Sequence, residues 1–308
     1  MFKYICKKLN KMDSLSISQL AQFSGIKAHT IRIGEQRYQA LKPNRTEGNT
    51  RTYSNMELKR LLNIVSLMDS GHKISEISMK SDEELNILIR EIYELEKSQD
   101  PHQYVSQLIA VGMQFEEKAF QEILSFCFDK FGIYKTYTEV ISVMLNRVGL
   151  MWSIDLLPPA QEHFMTNLVR QKLLVSIDAL PEPKEASKKW LLFLPEDEYH
   201  ETGLLFAQYV LKAKGFQVVY IGASVPLSTL KSAIETVKPD FLFLFFVRLN
   251  LPENTESYMA NLRAIYPEGE IYLSGNTKII QQLELGKKIH WLVDVESFLQ
   301  IKNEVKKG

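Results

Sequence analysis

The sequence predicts a multidomain chain: an all-α winged helix-turn-helix head, a four-helix bundle, and an α/β domain with a doubly wound parallel sheet. Three observations predict it. The first sixty residues combine helical periodicity with excess positive charge, residues 104–180 carry helical periodicity alone, and from Trp190 onward five short apolar runs alternate with helical segments. The expected organisation is a head at 14–82, a helix and linker at 83–103, a bundle at 104–180 and a sheet domain at 187–308.

In the head, Leu15, Ile17, Leu20, Ala21 and Phe23 fall at helical intervals, Gly25 interrupts them, and Ala28, Ile31 and Ile33 resume the period. Ser18, Gln19, Lys27, His29, Thr30, Arg32 and Arg37 point away from that apolar set. The second helix therefore offers a basic, hydrogen-bonding face suited to a major groove. Residues 42–53 are rich in turn formers, carry Lys42, Arg45 and Arg51, and close on Tyr53, so they read as a basic hairpin, a wing. The residues expected to contact DNA are Ser18, Lys27, His29, Thr30, Arg32, Arg37, Arg45, Arg51 and Tyr53. Ser54 followed by Glu57 reads as a capping box opening a helix that ends at Gly71, with Leu58, Leu61, Leu62, Val65 and Met68 inward. Ile74 and Ile77 mark a short helix. A further amphipathic helix over residues 82–97, through Leu85, Leu88, Ile89, Ile92 and Leu95, is too short for a long dimerising coiled coil.

Charge supports this division. The 308 residues hold 37 Lys or Arg and 37 Asp or Glu, yet residues 1–60 hold twelve basic against four acidic, a net of +8 that leaves −8 on the remainder. A basic head on an acidic body is what a phosphate-binding module joined to a sensor requires. Cys6 and Cys127 are the only cysteines, so disulfides and zinc sites are not expected and the compartment reads as the reducing cytoplasm. No run is long and apolar enough to span a bilayer, and residues 1–12 read as a basic arm. Nucleophile triads, phosphate loops and paired carboxylates are not evident, which argues against an enzyme.

Beyond the polar linker at 98–103, four helical segments begin at Tyr104, Glu116, Thr136 and Pro159, and a second linker follows Leu180. WLLFLP, QVVYIG, DFLFLFF, EIYLSG and IHWLV then read as buried parallel strands, whose carboxyl-end loops are where a ligand sits in such folds. The first loop holds Glu198-x-His200-x-x-Gly203, in which a carboxylate can fix the tautomer of a metal-ligating histidine.

The head's order of motifs, IR-x-x-E-x-RY, then L-x-P-x-R-T, then N-x-R-x-Y, resembles the MerR family of transcriptional regulators over about the first eighty residues. Gly34 stands where relatives reading IRIWEQRY carry tryptophan, and a helical glycine predicts a looser head. Glu198-x-His200-x-x-Gly203 resembles the D-x-H-x-x-G of cobalamin-binding domains, and Trp152, nine residues, then Glu162-His163 resembles the cap of light-sensing, cobalamin-dependent MerR-type repressors. The resemblance implies a repressor that binds double-stranded operator DNA as a dimer or tetramer, with no membrane partner. It implies adenosylcobalamin or methylcobalamin as cofactor, with His200 on the cobalt and Trp152, Glu162, His163, Glu198, Gly203, Ser224, Ser274 and Gly275 around it. Three positions depart from the pattern: Ser153 replaces a histidine, Phe245 a serine at the buried nucleotide tail, and Ser274 a glycine. They keep open a cofactor-free sensor retained for oligomerisation or protein partners. A cobalamin-dependent methyltransferase is a further alternative, which would need a substrate barrel and no DNA head.

Overall fold

The computed structural model describes residues 14–46, 48–69, 71–85, 87–88, 100–153, 157–247 and 254–301, with the side chains of Asn55, Trp152, Ser153 and Leu299 outside the description. The basic arm at 1–12, the positions of Ile89, Ile92 and Leu95, and most of the loop after Val247 lie outside the described residues. The chain divides into two compact units, Met1–Val169 and Arg170–Gly308.

In the first unit, α1 (Ile17–Ser24) opens on a reciprocal capping box: the Gln19 amide N–H donates to Ser16 Oγ at 3.3 Å, and the Ser16 N–H donates to Gln19 Oε1 at 2.8 Å. Leu15 is not part of that helix. Its N–H and carbonyl pair with Tyr53 at 2.7 and 2.9 Å, an isolated antiparallel bridge that staples the segment's start to its end. Gly25, at φ 79°, closes α1 in the left-handed region, where glycine has no Cβ to strain. Then come α2 (Ala28–Tyr38), the antiparallel β1 (Asn44–Arg45) and β2 (Arg51–Thr52), α3 (Asn55–Asp69) and α4 (Ile74–Ile77).

Only half of the expected capping box at α3 forms. Ser54 Oγ accepts from the Glu57 N–H at 3.3 Å, but the Glu57 carboxylate turns to the Lys42 N–H at 2.9 Å, fastening the start of the hairpin segment to the helix. Arg60 binds the other flank by donating to the carbonyls of Ala40, Ser78 and Lys80 at 2.8–2.9 Å. Ser81 and Glu84 form a second full box before residues 82–85, which are helical. Ala40, Ile64, Leu67, Ile77 and Leu85 form one buried cluster.

The unit continues with α5 (Gln103–Gly112), α6 (Glu117–Thr136), a π-helical turn at Tyr137–Ile141, α7 (Ser142–Ser153) and α8 (Pro159–Asp178), within which the division between units falls. Gly132 (φ 77°, ψ 164°) breaks α6, and the Thr136 hydroxyl donates to the Cys127 carbonyl at 2.8 Å across the break. α5 packs on α3, and α7 packs on α1. Burial raises the Cys127 thiol to about 12, so it behaves as core. Among the described residues no helix is long and apolar enough to cross a membrane.

The second unit is built on β3 (Lys189–Pro195), β4 (Gln217–Val225), β5 (Phe241–Phe246), β6 (Glu270–Gly275) and β7 (Ile289–Trp291). All four neighbouring pairs are parallel, in the order β4-β3-β5-β6-β7. Between strands run α9 (Thr202–Ala213), α10 (Leu227–Val237), α11 (Thr255–Ile265) and α12 (Thr277–Ile280), with α13 (Val295–Leu299) after β7. Trp190 through Leu194 are fully buried, as near-continuous apolar strands demand when both faces are covered. Because β4 lies on one side of β3 and β5 on the other, strand order reverses at β3. The loop leaving its carboxyl end therefore sits at the topological switch point.

Candidate functional site

Ser18, Lys27, His29, Arg32, Arg37 and Arg45 are exposed, and Thr30 is half-buried. Lys27 precedes α2 as its N-cap without a side-chain cap bond, leaving its ammonium at the surface. Arg45 and Arg51 are cross-strand partners in the hairpin, where like charges would repel. Glu35 resolves this by accepting from Arg51 Nε at 2.7 Å and from the Tyr53 hydroxyl at 2.9 Å. Glu35 also raises the pKa of Arg51, through its hydrogen bond and then its charge. Arg45 stays exposed, with its guanidinium on Asn49 Oδ1.

Tyr53 is a correction. The sequence placed it on the DNA face, but it is fully buried, so its ring cannot reach a phosphate, and its hydroxyl holds Glu35. Burial first and Glu35 second raise its pKa, so the hydroxyl remains a donor. The trio of Glu35, Arg51 and Tyr53 was not foreseen, although E-x-RY and R-x-Y were both visible.

Gly34 is buried on α2. A Cβ there would lie 3.2 Å from Ile74 Cδ1 and 3.7 Å from Ala40 Cβ, so the missing side chain lets α4 approach α2. Thr30, Ile31, Leu61, Ile64 and Met68 help line a residual cavity of about 10 Å³ beside it.

In the second unit, the loop from β3 to α9 brings Glu198, His200 and Ser224 together. The Glu198 carboxylate is fully buried. It accepts from the backbone N–H of Tyr199 (3.0 Å), His200 (3.2 Å) and, at the end of β5, Val247 (3.0 Å). His200 Nδ1 lies 2.5 Å from Glu198 Oε1. A carboxylate only accepts, so Nδ1 donates to it, which in the neutral imidazole places the lone pair on Nε2. The ring is about half exposed, at 53%. Ser224, at φ 54°, shapes the loop: its N–H donates to the Glu198 carbonyl at 3.0 Å, and its hydroxyl accepts from the Asp197 N–H at 3.1 Å.

Among the described residues no three His, Cys, Asp or Glu side chains assemble as a metal site. A lone imidazole suits a metal whose other ligands come from a cofactor. Around His200 the expected neighbours are differently employed. A Cβ at Gly203 would meet the Phe245 ring at 3.1 Å, so the ring lies directly on that glycine. The Ser274 hydroxyl donates to the Leu292 carbonyl at 2.7 Å, and Gly275, at φ 126°, lets the chain pass against the Phe246 carbonyl. Sequence reading missed Glu201, which accepts from Arg170 Nη2 at 2.8 Å and from the Tyr220 hydroxyl at 3.1 Å. Its partners are 31 and 19 residues away, beyond any local motif.

In the first unit Glu162 and His163 open α8. His163 Nδ1 is 2.7 Å from Glu162 Oε2, and the Thr166 hydroxyl donates to Glu162 Oε1 at 2.9 Å. Trp152 lies in α7, and its side chain is outside the description.

Residues 15–84 match the family described as MerR HTH family regulatory protein. The chain is 30% identical over 257 residues to the HTH-type transcriptional repressor CarH of Myxococcus xanthus, covering 82% of this chain and 85% of that one. CarA, an HTH-type transcriptional repressor of the same organism, is also 30% identical, covering 82% and 84%. The monomethylamine corrinoid protein of Methanosarcina barkeri has a similar fold: TM-score 0.52 at 17% identity, over 63% of this chain and 94% of that one.

Proposed function

Because the chain belongs to the family of MerR-type HTH transcriptional repressors that includes CarH and CarA, and is a DNA-binding regulator with a cobalamin-binding-type module, we propose how its parts are used. Residues 14–82 form a winged helix-turn-helix that lays α2 in the major groove. Lys27, His29, Thr30 and Arg32 approach base edges, while Ser18, Arg37 and Arg45 serve the backbone. Arg51 and Tyr53 shape the wing through Glu35. The exposed cationic face of α2 carries this reading. Arg32→Ala should weaken binding to a duplex selected from a random pool and lower the slope of log affinity against log salt by about one contact. An unchanged affinity and slope would remove α2 from the groove.

The rear module, a four-helix bundle at 104–180 and the sheet domain at 187–308, would control assembly into dimers or tetramers and so the spacing of heads. The loop after β3 has residues that fit a corrinoid: Glu198 holds His200 at Nδ1, and Nε2 of the neutral imidazole would be the atom to take the cobalt. Bound there, cobalamin would supply a corrin-held cobalt whose carbon–cobalt bond light could break. The protein's part is to keep His200 in one tautomer, with Ser224 and Val247 fixing the loop beneath it. The resemblance assigns Trp152, Glu162 and His163 to the same cofactor.

Phe245 favours a second reading. The resemblance puts the nucleotide tail beside residue 245, where the ring already occupies the space over Gly203, and Ser274 is engaged with Leu292. In that reading the module works without cofactor. Mixing the purified chain with adenosylcobalamin, followed by gel filtration, separates the two. A red protein fraction whose spectrum changes in His200→Ala supports the first, and a colourless fraction leaves the second.

A further inference from the structure

Within the first unit, four elements converge on the turn between α1 and α2. The Arg147 guanidinium, on α7, donates from Nη1 to the carbonyl of Ser24, the last residue of α1, at 3.3 Å. The same nitrogen lies 3.5 Å from Ser106 Oγ on α5. The Asp69 carboxylate, at the end of α3, hydrogen-bonds Ser106 and faces Arg147 electrostatically. The guanidinium lies so close over Gly25 that any Cβ at residue 25 would collide with it. A cation set against the carbonyl end of a helix is favourably placed by charge and hydrogen bonding alike. This one comes from a residue 123 positions away in sequence.

We infer that Arg147 is a positioning residue for DNA recognition: with Asp69 and Ser106 it clamps the turn at Gly25 and so sets where α7 holds α2. The inference rests on the DNA-binding reading of the head. Arg147 itself touches no DNA in this role. It gives α7, the helix that also carries Trp152 about one and a half turns further on, a direct hold on the turn that aims α2. A shift of α7 along its axis would pull on Ser24 and Gly25 before reaching the rest of the head.

The test is a double-substitution cycle in the full chain, titrating the wild-type-selected duplex over a range of salt. Arg147→Ala should weaken binding about tenfold, within the usual size of a coupling between sites, and leave the salt slope unchanged, because no phosphate contact is lost. Gly25→Ala should cost more affinity in the wild-type background than in Arg147→Ala, where the collision is gone and only the positive φ remains. Should Arg147→Ala not fold, Arg147→Lys, which keeps the charge but loses the fork, should give an intermediate loss at an unchanged slope. Additive losses in the cycle, or a Lys variant binding like wild type, would overturn the inference. A slope lowered by about one contact would also overturn it, by making Arg147 a phosphate ligand. A wild-type chain that selects no duplex removes the DNA reading itself, an outcome separate from failure of the cycle.

Discussion

Two glutamates, Glu35 in the head and Glu198 in the sheet unit, are both withdrawn from solvent and both reach a donor supplied later in the chain, yet their donors differ in kind. Glu35, 10% exposed, accepts from a guanidinium and a phenol. One carboxylate thus ties Arg51 to Tyr53, while Arg45 across the ladder lies exposed with its guanidinium on Asn49. Glu198, 0% exposed, accepts from three backbone N–H groups and an imidazole. These bonds fix the carboxylate in the loop, and its Oε1 orients His200 through Nδ1. One carboxylate braces a guanidinium and a phenol, and the other orients an imidazole.

The largest effect that would sharpen this contrast is at Glu198. Glu198→Ala removes the acceptor of three part-buried N–H groups and of His200 and frees the loop from β5, which should cost about 3–5 kcal/mol in urea unfolding of the full chain. A loss below about 1 kcal/mol would mean the carboxylate is not holding the loop, and the comparison with Glu35 would fail. The next effect belongs to the head. Gly34→Trp must fit an indole beside a cavity of about 10 Å³ and should destabilise it, by about 1–3 kcal/mol from overpacking. A rise in melting temperature would show that α2 and α4 can part. Tyr53→Phe, which removes one donor from Glu35 and keeps the ring, should cost about 1 kcal/mol. It should leave the salt slope of DNA binding unchanged, because the buried ring meets no phosphate; a lower slope would return Tyr53 to the DNA face.

How much of this could be read from the chain follows from sequence distance. Ser18, Lys27, His29, Arg32 and Arg37 were legible because a helical period and a charge pattern are local properties, and their exposure agrees with both. The five strands were legible for the same reason, each being a short apolar run between breakers. Glu198 and His200 stood out because they are two residues apart. Val247, 49 residues from Glu198, contributes a backbone N–H that no residue type announces. Tyr53 misled because a tyrosine ending a basic hairpin looks like a surface residue until Glu35 turns its hydroxyl inward. Gly34 was legible as an oddity, but its cause, the approach of Ile74, lies 40 residues on.

Asp69 extends the comparison to a carboxylate for which neither solution is complete, and its effect should be the smallest. Burial raises its pKa from 3.8 to about 6, while Arg147 and the Ser106 hydroxyl oppose the rise without cancelling it. Burial likewise lowers Arg147, with Asp69 opposing, so desolvation outweighs attraction on both sides of the pair. Since the folded state holds the proton more tightly than the unfolded chain, the benefit of the neutral acid is complete below the unfolded value near 4 and is lost as pH rises through about 6. The amide of an asparagine at this position does not titrate, so the stability of Asp69→Asn relative to wild type should rise between about pH 4 and 6 and level off above. Because the group is only half-buried, solvent screening holds that change to under about 1 kcal/mol. Urea unfolding of both chains at pH 4, 5, 6 and 7 measures it. A difference that falls over the same range would mean that ionised Asp69 gains more from Arg147 than it loses to burial.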